Sequence, residues 1–207
     1  MKVGSQLFTS EGPRAVEKLA GLGAGIFLDL KFHDIPNTVA GAVAAAANLP
    51  GVRMLTLHTT GGLAMMRAAR EAMAGKKRRP ALLGVTLLTS LDAPALKGVG
   101  ISGSVASRAV ALARLAKQAG LDGVVTSIHE ARAIRRACGP QFLIVVPGVR
   151  PHNASVQDQS RVATPADAIS AGADYLVVGR PITGAQSPRN AALSIAEEIA
   201  DASRAAR

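Results

Sequence analysis

An α/β fold on a parallel sheet, of the (β/α) barrel kind, is what this sequence predicts, and three observations carry that reading. Short β-branched runs alternate with longer Ala-rich stretches along the whole chain, and β-then-α units in series demand a parallel sheet with helices outside it. Leu143-Ile144-Val145-Val146 and Leu176-Val177-Val178 are continuously apolar, the pattern of strands covered on both faces. The predicted strand ends are polar: Asp29 and Lys31, His58-Thr59-Thr60, Thr89-Ser90, Ser127, Arg150 and Gly179-Arg180. Chemistry in a barrel gathers at the C-terminal strand ends. An open doubly wound sheet satisfies the first two observations, and the third favours the barrel. No linker or composition break divides the chain, so residues 1–207 are read as one domain.

Strands are predicted at 2–3, 25–30, 52–58, 81–88, 123–127, 142–146 and 175–178. Helices are predicted at 13–22, 37–48, 62–74, 104–119, 130–138, 165–171 and 189–205. Thr164-Pro165 and Ser187-Pro188 are helix-start signals. Glycines after Leu22, Ala119, Cys138 and Ala171 are helix stops.

The chain has 207 residues, 48% of them apolar and only 2% aromatic, so its core rests on Ala, Val, Leu and Ile. A net charge of +10 is compatible with anionic metabolites or with a nucleic-acid or membrane surface. The basic run Lys76-Lys77-Arg78-Arg79 reads as a solvated loop, and one Tyr with no Trp leaves little for bases to stack on. No nucleic-acid polymer is expected as a partner. Cys138 is the single cysteine, which removes intrachain disulfides and cysteine-based zinc sites. No apolar run approaches the roughly 20 residues of a membrane span, and the first residues lack a signal-peptide core. No membrane association is expected, and the expected location is the cytoplasm.

The densest chemistry lies in Asp29-Leu30-Lys31-Phe32-His33-Asp34-Ile35-Pro36-Asn37-Thr38, directly after the apolar run Gly25-Ile26-Phe27-Leu28. On a strand, side chains two apart share a face, so Asp29 and Lys31 point the same way. Such a pair is costly to desolvate. Inside a buried strand it marks a functional site rather than a solvated ion pair. At the other end of the chain, Gly179-Arg180-Pro181 and the long polar loop with Arg150, Gln157 and Gln159 suit phosphate. Glycine lets backbone N–H groups approach an anion, and arginine offers a bidentate cation. Residues 98–104 read as a flexible loop placed to serve as a lid. No HExxH or His-x-His spacing is present, so no metal is expected; a divalent ion on Asp29 and Asp34 is the alternative.

The ten-residue stretch resembles the signature of the orotidine 5′-phosphate decarboxylase family. The resemblance extends to Lys2-Val3-Gly4, Leu87-Leu88-Thr89-Ser90, Pro147-Gly148-Val149-Arg150-Pro151, Asp158-Gln159 and Gly179-Arg180-Pro181-Ile182. It implies a (β/α)8 TIM barrel that dimerises and converts orotidine monophosphate to uridine monophosphate and CO2 without a cofactor. It further implies that Lys31 delivers a proton to C6, with Asp29 set against the substrate carboxylate. Asp34 and Thr38 would reach the neighbouring site of a homodimer, and Lys2 would contact ribose. Thr89 and Ser90 would read the pyrimidine, while Arg150, Gln159, Gly179 and Arg180 would grip the phosphate. Family members begin with one further strand and helix, so the resemblance implies a barrel short of about one βα unit at its N-terminus.

Two rival readings stand beside it. Sugar-phosphate decarboxylases and lyases of the same suprafamily, such as ketogulonate-phosphate decarboxylase or hexulose-phosphate synthase, share an Asp-x-Lys-x-x-Asp core but use Mg²⁺. The Phe32-His33 and Ile35-Pro36-Asn37-Thr38 context favours the pyrimidine enzyme. An inactive basic scaffold has only the net charge in its support.

Overall fold

A computed structural model describes residues 1–76, 78–150 and 164–205. Among these, the strands are β1 (Lys2–Gly4), β2 (Ile26–Phe32), β3 (Val52–His58), β4 (Ala81–Val85), β5 (Gly123–Val125), β6 (Leu143–Pro147) and β7 (Tyr175–Val177). The helices are α1 (Ser5–Glu11), α2 (Pro13–Gly21), α3 (Pro36–Ala46), α4 (Gly62–Glu71), α5 (Ala93–Gly98), α6 (Val105–Gln118), α7 (Ile128–Cys138), α8 (Pro165–Ser170), α9 (Arg180–Thr183) and α10 (Pro188–Ala205). A short 3-10 turn spans Thr59–Gly61. The strands follow one another in the sheet in chain order. That order never turns back, whereas a doubly wound sheet reverses at its switch point. The barrel reading of the sequence therefore holds over the doubly wound one.

The residues cluster into two compact units, Met1–Thr86 with Ala111–Val124, and Leu87–Val110 with Val125–Arg207. In the first unit, β1 to β4 pair in parallel, and one register line joins Val3, Leu28, Leu55 and Leu82. All four are fully buried. Burial of each such aliphatic side chain stabilises by about 1.5–3 kcal/mol. Val16 of α2, Val39 and Val43 of α3, and Met65, Met66 and Ala69 of α4 are likewise buried. The neighbouring positions on these strands, Gly4, Asp29 and Thr56, lie on the opposite face. Functional groups occupy that face while the apolar line anchors the sheet.

In the second unit β6 and β7 pair in parallel, with Ile144, Val145 and Val146 buried. Strand β7 departs from expectation. Tyr175 is exposed, and Leu176 and Val177 are only partly covered. A continuous apolar run does not distinguish a strand covered on both faces from the last strand in the sheet order. The start signals hold: Thr164 caps α8 in a reciprocal capping box with Asp167, and α10 opens at Pro188. Strand β4 ends at Val85 instead of running to Leu88, so Thr89 and Ser90 lie in a turn beyond it. Helix α5, whose N-cap Asp92 accepts the Ala95 N–H at 2.9 Å, ends at Gly98, and residues 99–104 carry neither helix nor strand, as the loop reading of 98–104 expects. None of the helices of the described residues is long and apolar enough to cross a membrane.

Candidate active site

Strand β2 is where sequence and geometry converge. Leu28 pairs with Leu55 and Phe32 with Leu57, so three residues of β2 oppose the single residue Thr56 of β3. The ladder is shifted there, as at a β-bulge. Lys31 takes φ 54°, and it is the only non-glycine residue at positive φ among the described residues. For an L-residue this left-handed conformation costs roughly 1–2 kcal/mol. Backbone cost of this kind concentrates at functional sites. The alternation argument predicted the right neighbours, but the chain brings them together by a bulge rather than by a regular pleat.

Asp29 is the centre of the cluster. Its Oδ2 accepts from Lys31 Nζ at 2.8 Å and lies 3.3 Å from Lys2 Nζ, while its Oδ1 accepts from the Thr56 hydroxyl at 3.0 Å. Asp29 is 8% exposed; the two lysine side chains retain about a third of their surface. Burial pushes the Asp29 carboxyl up, but the Lys31 hydrogen bond and charge, the Lys2 charge and the Thr56 hydroxyl outweigh it. The net position is below the usual carboxylate range. One carboxylate between two ammoniums leaves a surplus positive charge, which suits an anionic ligand.

Strand β1 makes room for this arrangement. Gly4 pairs with Asp29 across β1 and β2, and a Cβ at Gly4 would stand 3.0 Å from Lys2 Nζ. A glycine at this position therefore lets the Lys2 ammonium fold back onto the carboxylate. A cavity of about 560 Å³ opens here, lined by Lys2, Gly4, Asp29 and Lys31 together with Gln6 and Ser10 of α1. That volume is in the range of small-molecule sites. The rings of His33 and His58 meet at 5.2 Å in the same unit. Burial, then the charges of His33 and Lys31, lower the pKa of His58.

The remaining sequence-predicted residues fall as follows. Asp34 is exposed and its carboxylate accepts the Ile35 N–H at 2.6 Å; no ion pair joins it to Lys31 among the described residues. Ile35 is 67% exposed, and Thr38 is exposed on α3. In the second unit Thr89 and Ser90 are exposed, Arg150 is buried just beyond β6, and Gly179 and Arg180 are exposed where α9 begins. Gln159 lies outside the described residues. Thr56 was not singled out from the sequence, where it is one threonine in an apolar strand. Its place on the same face as His58 is the signal that points to it. No group of three His, Cys, Asp or Glu side chains that could hold a metal occurs among the described residues. Asp29, engaged by two ammoniums, is also a poor half of the alternative Asp29–Asp34 cation site.

Strand order and cluster together define a class: a (β/α) barrel that presents paired ammoniums and a clamped carboxylate to an anionic small molecule. Similarity to known proteins narrows it. The profile of the orotidine 5′-phosphate decarboxylase / HUMPS family matches residues 1–195, and the chain belongs to that family. A relative from Nitrosococcus oceani, named orotidine 5′-phosphate decarboxylase, is 52% identical over 201 residues, 97% of this chain and 86% of its own. One of the same name from Trichlorobacter lovleyi is 55% identical, over 96% of this chain and 83% of its own. The crystal structure of orotidine 5′-phosphate decarboxylase from Lactobacillus acidophilus matches with a TM-score of 0.84 at 39% identity. That match covers 96% of this chain and 85% of the other.

Proposed function

We propose that this chain is a carboxy-lyase that converts orotidine 5′-monophosphate to uridine 5′-monophosphate and CO2, a step of pyrimidine biosynthesis, without a cofactor. The observation that carries the reading is the Lys31 ammonium held at 2.8 Å on a buried carboxylate, in a family whose relatives bear that enzyme's name. Loss of CO2 leaves carbanion character at C6 that no adjacent carbonyl delocalises. Stabilisation must come from charge already in place. The Lys31 ammonium faces the developing charge, and as the C6–carboxyl bond breaks its proton passes to C6. The neutral amine then regains a proton from solvent.

Asp29 holds Lys31 in position and stands against the departing carboxylate. Lys2 completes the alternating charges and contacts ribose. Thr89 and Ser90 read the pyrimidine ring, and Arg150, Gln159, Gly179 and Arg180 hold the phosphate. Phosphate binding remote from C6 supplies energy to close the site. Asp34 and Thr38 serve the neighbouring site of a homodimer; their exposure, and the absence of an ion pair between Asp34 and Lys31 among the described residues, support that role. The whole chain acts as a single barrel domain in the cytoplasm.

The test is direct. Purified protein incubated with orotidine 5′-monophosphate should release CO2 and uridine 5′-monophosphate in equal amounts, at a rate unchanged by EDTA. Turnover that EDTA abolishes, or release of CO2 from a sugar phosphate instead, would contradict the proposal.

A further inference from the structure

Thr56 is a buried hydroxyl with two charged-site partners and no place in the mechanism above. It is fully buried on β3, opposite the stretch where β2 carries its extra residues. Its Oγ1 accepts the Lys31 backbone N–H at 2.9 Å and donates to Asp29 Oδ1 at 3.0 Å. The direction of both bonds is forced. A backbone N–H can only donate and an ionised carboxylate can only accept, so the hydroxyl proton must lie on the Asp29 side. The shifted ladder places this side-chain oxygen where the Lys31 N–H needs an acceptor. One hydroxyl thus ties down the lysine backbone in its left-handed turn and the carboxylate that grips the same lysine's ammonium.

We propose that Thr56 is a positioning residue for the decarboxylation: its hydroxyl locks Asp29 and the Lys31 backbone into the one arrangement that aims the ammonium. The proposal rests on the roles given to Lys31 and Asp29 above. Thr56 touches neither substrate nor the reacting atoms; it acts through those two residues. A threonine that only fills space would need nothing but its volume, which valine approximates. One that only satisfies the Lys31 N–H would show its loss in stability rather than in kcat or the Asp29 titration. A positioning threonine needs the hydroxyl, which serine keeps.

Measure kcat and KM on orotidine 5′-monophosphate for the wild type, Thr56→Val and Thr56→Ser, and follow the Asp29 carboxyl by carbon NMR titration in each. Thr56→Val is expected to lower kcat by about tenfold to a hundredfold, the scale of a lost hydrogen bond to a charged group, with KM changed by less than about threefold. Thr56→Ser should recover most of the rate. The Asp29 carboxyl should titrate at higher pH in Thr56→Val and near its wild-type position in Thr56→Ser. Wild-type kcat in Thr56→Val, equal impairment of both variants, or an unmoved Asp29 titration would each overturn the proposal. If Thr56→Val does not fold, Thr56→Cys takes its place, since a thiol fills the site but donates weakly; the same outcomes decide. Absence of turnover by the wild type would defeat the decarboxylase reading, and the Asp29 titration would then decide by itself whether Thr56 governs that carboxylate.

Discussion

Gly4 shows how little space separates a working charge cluster from a disrupted one. Its backbone, at φ −98°, accepts any side chain, so the constraint is contact alone. Gly4→Ala would set a methyl group 3.0 Å from Lys2 Nζ and make that ammonium give by a few tenths of an ångström. The expected result is a fall of about twofold to fivefold in kcat/KM with an unchanged melting temperature, because even a shift well below an ångström near the chemistry is felt. Steady-state kinetics beside a thermal melt checks it; wild-type kinetics would mean that Lys2 is not needed where it stands. On the phosphate side, Arg180→Ala should weaken uridine 5′-monophosphate binding, measured by calorimetry, far more than Arg204→Ala. Arg204 pairs with Asp201 on exposed α10, the kind of contact that contributes little. Equal effects would remove Arg180 from the phosphate site.

At the scale of elements, the same staple occurs in both units. Asp122, two residues after Gly120 and just before β5, accepts the Leu82 N–H at 2.8 Å and a two-pronged contact from Arg79 at 2.6 Å. Asp174, two residues after Gly172 and just before β7, accepts the Ile144 N–H at 2.7 Å and Arg135 at 2.6 Å. Both glycines are at positive φ, where helices hand over to strands. Arg135 also donates to the carbonyls of Gly139, Pro140, Phe142 and Gly172. Burial raises the Asp122 pKa, but the Arg79 hydrogen bond, the Leu82 N–H and the charges of Arg79 and Arg70 lower it further, for a net depression. A carboxyl depressed in the folded state stabilises fully above its unfolded value, about 3.9, and that gain is lost as pH falls through the folded value. Asp122→Asn should therefore cost about 1.5–3 kcal/mol at neutral pH in urea unfolding. The variant should also lose less stability than the wild type below about pH 4. An identical acid limb in both proteins would contradict this account.

Most elements were legible because period and punctuation agree. Strand 52–58 was read to the residue, the Pro165 helix start fell at the Thr164 cap, and α10 opens at Pro188. The helices missed are short. Helix α1 has no buried residue and no side-chain cap, so neither periodicity nor capping announces it. Helix α5 did carry its signal, Asp92 followed by Pro94, but at six residues it offers too little periodicity to stand out against a loop. Helix α9, four residues with Pro181 in its first turn, lies inside the motif that was read as phosphate-binding.

Charge is distributed unevenly over the molecule as a whole. The net +10 includes many exposed lysines and arginines, yet the functional reading rests on a local balance of two ammoniums against one carboxylate. The Asp29–Lys31 half of that balance was legible because the two residues are close in sequence; Lys2 entered only through the family resemblance, and the structure pairs its strand with β2. Thr56 was not legible, because the pairing of Leu28 with Leu55, which sets a residue 27 positions away beside Asp29, is not readable from the sequence. The role proposed for Asp34 requires a second copy of the chain and yields its own test. If each site borrows Asp34 from a second copy, mixing inactive Lys31→Ala and Asp34→Ala proteins should restore turnover, since a mixed dimer holds one intact site. No recovery after exchange of subunits would place Asp34 outside the shared site.

The most direct test of the central claim is the paired measurement of turnover and uridine 5′-monophosphate affinity in Lys31→Ala. The account predicts loss of turnover by at least about 10²–10⁴-fold, the scale of a missing proton donor, with nucleotide binding still measurable. Lys31→Ala protein that releases CO2 at close to the wild-type rate would contradict it.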